Sequence, residues 1–161
     1  MSASVITTYI DALRGQLVIN RGESDGLRAG QFVMGDDSII GIISELDSRT
    51  ARVLLTTDPS TETAVEFGSV DYCGVMRGLG GNSATILLLP AKYKIQAGDT
   101  VYACKKPGFL DNAVIAGIVS QCRRDDNAPL LWDIVIEPAC DMDKLEKVVV
   151  IIANAQEQGQ V

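Results

Sequence analysis

The sequence predicts an all-β chain organised as two tandem small barrels, and three observations carry that expectation. Short runs rich in β-branched residues recur between turns of Gly, Asp, Asn and Pro. No long apolar stripe at helical spacing interrupts them. A pattern in the first half of the chain also returns in the second.

Strands are expected near Ser4–Tyr9 and Gly15–Asn20, two runs parted by Asp11–Arg14. Phe32–Met34 and Ile39–Glu45 flank Gly35-Asp36-Asp37, whose residues favour a turn. Arg52–Thr57 stops at Asp58-Pro59, and Thr63–Phe67 stops at Gly68. Cys73–Arg77 and Ala84–Leu89 flank Gly78-Leu79-Gly80-Gly81-Asn82, which reads as a hairpin tip. Thr100–Cys104 runs into the loop Lys105–Asp111, and Val114–Gln121 into the charged tip Arg123-Arg124-Asp125-Asp126-Asn127. Trp132–Glu137 ends at Pro138. Asp141–Glu146 fits one helical turn with Asp141 as its N-cap, before a last strand at Lys147–Ile152. Tyr72, Tyr93, Tyr102 and Trp132 fall mostly in strand-like runs and are assigned to the core.

The repeat aligns Leu27-Arg28-Ala29-Gly30-Gln31-Phe32-Val33 with Ile95-Gln96-Ala97-Gly98-Asp99-Thr100-Val101, and Ile40-Gly41-Ile42-Ile43-Ser44 with Ala116-Gly117-Ile118-Val119-Ser120. The offset grows from 68 to 76 because the second copy carries an insertion around Lys105–Asp111. Gly30 and Gly98 are expected at positive-φ turn positions, Gly41 and Gly117 at mid-strand bulges or tight barrel corners. The modules are expected at 1–70 and 71–152, with a polar tail at 153–161. Modules of about 75 residues bury only about 60–65% of their unfolded surface, so the two are expected to pack rigidly together.

Composition narrows function mainly by exclusion. The 161 residues include no histidine, which removes imidazole-activated nucleophiles and His-containing metal sites. A formal charge of −7 argues against a nucleic-acid binder, which needs a basic face. No apolar run reaches the ~18–20 residues of a membrane span, and no signal peptide follows Met1, so taken literally the chain is soluble and unexported. Cys73, Cys104, Cys122 and Cys140 are too widely spaced for a zinc motif. They are read as small apolar strand residues, although an even count also permits two disulfides in three connectivities.

The run Gly22-Glu23-Ser24-Asp25-Gly26 lacks the residues of a phosphate-binding loop and is read as a surface turn. The acidic clusters Asp36-Asp37, Asp125-Asp126 and Asp141/Asp143 lack the form of a cation-binding loop, so no cofactor or metal is expected. Ser24, Ser44 and Ser120 have no base. Phe109-Leu110, beside Lys105 and Lys106, is the candidate partner contact, since exposed apolar groups in a polar frame mark interfaces. The alternative is that Phe109 tucks onto the barrel end.

The run Leu17-Val18-Ile19-Asn20-Arg21-Gly22-Glu23-Ser24-Asp25-Gly26-Leu27-Arg28-Ala29-Gly30 resembles the start of the β-domain of the rod-shape-determining MreC family. The resemblance continues through Val33, Ile40-Gly41-Ile42-Ile43 and Arg52-Val53-Leu54-Leu55-Thr56-Thr57-Asp58-Pro59-Ser60. It resumes at Leu89-Pro90, Ile95–Val101, Gly117-Ile118-Val119, Ile136-Glu137-Pro138-Ala139, Asp141, Leu145 and Val148–Ile151. The match spans about residues 5–152 in order, with departures at Tyr102-Ala103-Cys104-Lys105-Lys106 and in the four cysteines.

The resemblance implies two barrels of the chymotrypsin-like type and a non-enzymatic scaffold of cell-wall elongation and cell shape. It implies a class B penicillin-binding protein, MreD and the MreB-linked complex as partners, together with self-association. It also implies a membrane helix and coiled coil absent from this chain, placing the domain at the periplasmic or extracytoplasmic face of the inner membrane. Two other readings stay open: a chymotrypsin-like barrel hydrolase lacking a histidine base, and a small-ligand-binding barrel.

Overall fold

The computed structural model describes residues 1–153; the expected polar tail lies, but for Ala153, outside the described residues. The β-branched runs form strands at each expected place: β1 (Ser2–Asp11), β2 (Arg14–Ile19), β3 (Phe32–Gly35), β4 (Ser38–Leu46), β5 (Ala51–Leu55) and β6 (Glu62–Phe67). The second half supplies β7 (Cys73–Gly80), β8 (Ser83–Ile86), β9 (Thr100–Ala103), β10 (Val114–Arg124), β11 (Trp132–Glu137) and β12 (Lys147–Val150). Within them burial alternates as a half-buried strand requires. Leu17 and Ile19 of β2, and Ala51, Val53 and Leu55 of β5, point inward while their neighbours face out.

The strands close into two six-stranded barrels, in the order β1-β12-β3-β4-β5-β2 and β10-β11-β8-β7-β6-β9. The expected cut at residue 70 does not follow the pairing. β6 hydrogen-bonds to β7 and β9 in the second barrel, and β12 pairs with β1 and β3 in the first. Barrel closure explains both departures. A five-stranded sheet would leave two open edges, and the sixth strand of the first barrel comes from the far end of the chain.

The repeat is visible bond for bond. Gly30 N–H donates to Ile43 O and Ile43 N–H to Gln31 O, while Gly98 N–H donates to Val119 O and Val119 N–H to Asp99 O. The side chain of Gln31 accepts from Arg28 N–H, and that of Asp99 from Gln96 N–H. Gly30 and Gly98 have φ of 92° and 96°, the left-handed region that glycine enters freely. Gly41 and Gly117 lie where neighbouring strands approach closely: a Cβ there would sit 2.3 Å from Leu54 O and 2.6 Å from Ile136 Cγ2. Gly22-Glu23-Ser24-Asp25-Gly26 forms a single 3-10 turn ending at left-handed Gly26. A second 3-10 turn, Met142–Lys144, is capped by the Asp141 carboxylate accepting from Asp143 N–H.

Each barrel has its own apolar core, yet Phe32 of β3 and Ile39 of β4 pack into the core cluster of the second barrel. Burying two such side chains contributes about 1.5–3 kcal/mol each, so the barrels are joined in part through shared core. Two expectations about core membership need correcting. Tyr72, Tyr93 and Trp132 pack on the core only half-buried, and Tyr102 lies outside the cluster, against Gly68. Aromatic rims of this kind keep a polar tip satisfied, as where Trp132 Nε1 donates to Tyr93 O at 2.8 Å. None of the four cysteines is fully buried; Cys73 is exposed and the others intermediate, and all four are free thiols.

Candidate functional site

The junction between the barrels is built around a buried polar turn. Leaving β5, the chain passes through Thr56-Thr57-Asp58-Pro59-Ser60-Thr61 before β6 begins, and four of these polar residues, Thr56, Thr57, Asp58 and Thr61, are buried. Burying polar groups is costly unless they are bonded, and Asp58 supplies most of the bonds. Its carboxylate accepts from Gly15 N–H of β2 at 2.8 Å, from Ser60 N–H at 2.8 Å and from Ser60 Oγ at 2.6 Å. Burial pushes the Asp58 pKa up, but the Ser60 hydroxyl and the Gly15 and Ser60 N–H groups outweigh it, and the net shift is downward.

The second barrel grips the same turn. Gly78 N–H donates to Thr61 O, and Gly80 N–H to Thr57 O. A Cβ on Gly78 would lie 2.1 Å from Asp58 O, so only glycine lets β7 pass this close. The hydroxyls of Thr57 and Thr61 have no hydrogen-bond partner among the described residues.

Beside the turn lies a cleft of about 360 Å³ between the barrels. Phe32, Ile39, Gly41 and Ile42 line it from the first barrel, and Thr63, Ala64, Lys105 and Lys106 from the second. Apolar walls with a few polar groups suit binding. The serines considered at the sequence level are engaged elsewhere. Ser24, Ser44 and Ser120 each donate to a backbone carbonyl, of Ser48, Arg52 and Val135, and the last two bonds are equivalent in the repeat.

The candidate contact Phe109-Leu110 is not an exposed patch. Leu110 is 2% exposed and belongs to the second core. Phe109 is half-buried and lies over Gly30 of the first barrel, whose Cβ would come within 2.9 Å of the ring. Arg28 and Lys106 sit over the ring at 5.5 and 4.9 Å from its centroid, and Arg28 Nη2 donates to Gly108 O. The loop is a latch between the barrels, the tucked alternative of the two readings. The expected glycines divide by role. Gly30 and Gly41 line the inter-barrel cleft, whereas Gly22, Gly26, Gly98 and Gly117 shape turns and strands elsewhere.

Sequence spacing also missed the buried Asp58 turn, the close approach at Gly78 and a cluster of Glu66, Cys73 and Cys104. The Asp-Pro of the turn is a local signal, but its partners Gly15 and Gly78 are distant in sequence and carry no mark of their own.

Comparison with known proteins bears on this architecture. The family described as "Rod shape-determining protein MreC, barrel core" matches residues 5–152. The chain is 32% identical over 127 residues to the cell shape-determining protein MreC of Haemophilus influenzae, covering 78% of this chain and 36% of that protein. It thus spans about a third of the length of the curated relatives it matches first. Among solved structures, MreC from Pseudomonas aeruginosa superposes with a TM-score of 0.84 at 21% identity, covering 94% of this chain and 98% of that one. The major periplasmic domain of the cell shape-determining filament MreC gives 0.75 at 17% identity, covering 96% and 95%. A complex between penicillin-binding protein PBP2 and MreC from Helicobacter pylori gives 0.61 at 15% identity, covering 96% and 100%. Ordered family motifs, the duplicated barrel and the matched span agree, and this chain belongs to the MreC family of rod shape-determining proteins.

Proposed function

We propose that this chain is a non-catalytic scaffold of cell-wall elongation that binds a class B penicillin-binding protein and associates with itself. The observation that carries the reading is the family match across both barrels, residues 5–152. The solved complex of a related chain with PBP2 supports the choice of partner. Descriptions of another relative as a periplasmic domain and a filament support an extracytoplasmic location and self-association. MreD, the MreB-linked complex and an N-terminal membrane anchor complete the reading by family resemblance.

The physical mechanism is selection among partner conformations. Two barrels joined by shared core form one stiff platform, and a platform with higher affinity for one conformation of a transpeptidase raises the population of that conformation. Such a function requires neither a base nor a nucleophile, in keeping with a chain without histidine.

The test is binding of the purified chain to the soluble part of a class B penicillin-binding protein, with sedimentation of the chain alone across concentration. Saturable binding and concentration-dependent association are expected. A chain that does neither overturns the proposal, and labelling of one serine or cysteine by an active-site-directed probe would favour the hydrolase reading.

A further inference from the structure

The outer wall of the second barrel carries a cluster that no motif announces. Glu66 of β6 is paired across the sheet with Cys73 of β7. On the opposite side of β6, Cys104 follows directly on β9 and donates its N–H to Ala64 O. Ala64 and Glu66 both face outward on β6, alternating with buried Thr63, Val65 and Phe67. The two thiols and the carboxylate therefore converge on one face, their ligand atoms all within 4.8 Å of one another.

We propose that Glu66, Cys73 and Cys104 form a site for one thiophilic divalent cation of the zinc class, with water as the fourth ligand. The donor set is two soft thiolates and one carboxylate, which favours zinc-like ions over calcium or magnesium. A tetrahedral ion with bonds of about 2.0–2.3 Å draws its donors to roughly 3.5–3.8 Å apart, a small contraction from the observed spread.

The carboxylate is also available to a ligand. Among the described residues no ion pair engages Glu66. A cation bound between the two sulfurs would give that carboxylate an opposite charge. Its two metal–sulfur bonds replace two S–H bonds, both protons pass to solvent, and no electron changes hands.

A disulfide is the competing use of the two sulfurs, and the topology disfavours it. Cys73 opens β7 and Cys104 directly follows β9, the two strands that flank β6. Their backbones are two strand spacings apart, with β6 between them. A disulfide needs Cα atoms within roughly 7 Å, whereas a bridging ion accommodates the wider span.

The inference is independent of the scaffold reading and is tested on the full purified chain, fully reduced. Cadmium titration followed by the thiolate-to-metal charge-transfer absorption is expected to saturate at one equivalent. Zinc added first should suppress that signal and protect Cys73 and Cys104, but not Cys122 and Cys140, from alkylation. C73S and C104S should each weaken binding at least about tenfold, with E66Q weakening it less. The C122S/C140S double variant should bind as the parent does. Because Cys73 is exposed, C73S is expected to keep the parental melting curve and so to separate ligand loss from unfolding. The proposal is overturned by absence of a saturable signal, by an undiminished signal in C73S or C104S, or by a Cys73–Cys104 disulfide in the air-oxidised chain.

Discussion

At the scale of single residues, close approach and backbone sign are separable demands on glycine, and two positions separate them. Gly41 needs space: a Cβ there would sit 2.3 Å from the Leu54 carbonyl, which is fixed by the β4–β5 ladder. Gly26 needs only its positive φ of 86°, since nothing lies within 4 Å of a Cβ there. Gly41→Ala is therefore expected to cost about 3 kcal/mol, near the top of the range for overpacking. Gly26→Ala should cost about 1–2 kcal/mol, the penalty of a left-handed side-chain residue. Urea unfolding midpoints give both values, and equal costs would contradict the distinction. Asp58 makes a prediction in pH. Its folded pKa lies below its ordinary value, so its contribution is fully present above the unfolded pKa of about 3.9 and is lost as pH falls through the folded value. Asp58→Asn places an amide donor against the N–H groups of Gly15 or Ser60 and should cost about 2 kcal/mol at pH 7. The gap between parent and variant should hold from pH 7 to about pH 5 and narrow below about pH 4, as denaturant midpoints across pH will show.

At the scale of elements, legibility in the sequence follows from how local the determining interaction is. The strand positions and the repeat could be read because turn residues and alternation act over a few neighbours: Gly30 and Gly98 mark the same hydrogen-bonded corner in both barrels. The insertion Lys105–Asp111 was recognisable as a loop, but whether Phe109 faced solvent or barrel was not. That outcome depends on Gly30 and Arg28, from the other barrel. The same reasoning covers Glu66, Cys73 and Cys104, which become neighbours only once β6, β7 and β9 are paired. The latch role of Phe109 has a consequence for partner binding. Phe109→Ala should lower stability by about 1–2 kcal/mol, the value of a half-buried aromatic ring held under two cations. Affinity for the penicillin-binding protein proposed as partner, measured below the melting transition, should remain unchanged. A large loss of affinity at parental stability would restore Phe109 as a direct contact.

At the scale of the whole molecule, the two barrels are unequal in how they depend on chain continuity. The second barrel takes all six strands from one unbroken stretch, Glu62 to Glu137. The first takes five from the N-terminal segment and its sixth, β12, from Lys147–Val150. Without β12, β1 and β3 each present an unpaired edge, and Val148 and Val150 leave the first core. A chain ending at residue 140 is thus expected to keep the second barrel and lose the first, with aggregation through the freed edges. A fragment of residues 60–140 is expected to fold alone, but to melt below the full chain. At about 80 residues it buries only some 60–65% of its unfolded surface, and it forfeits Phe32 and Ile39 from its core. A fragment of residues 1–70 should stay unfolded, and fusing residues 141–153 to its end should restore cooperative melting. Circular dichroism and thermal melts of the four polypeptides decide the matter. Cooperative folding of 1–70 alone would show that the first barrel does not need the strand that closes it.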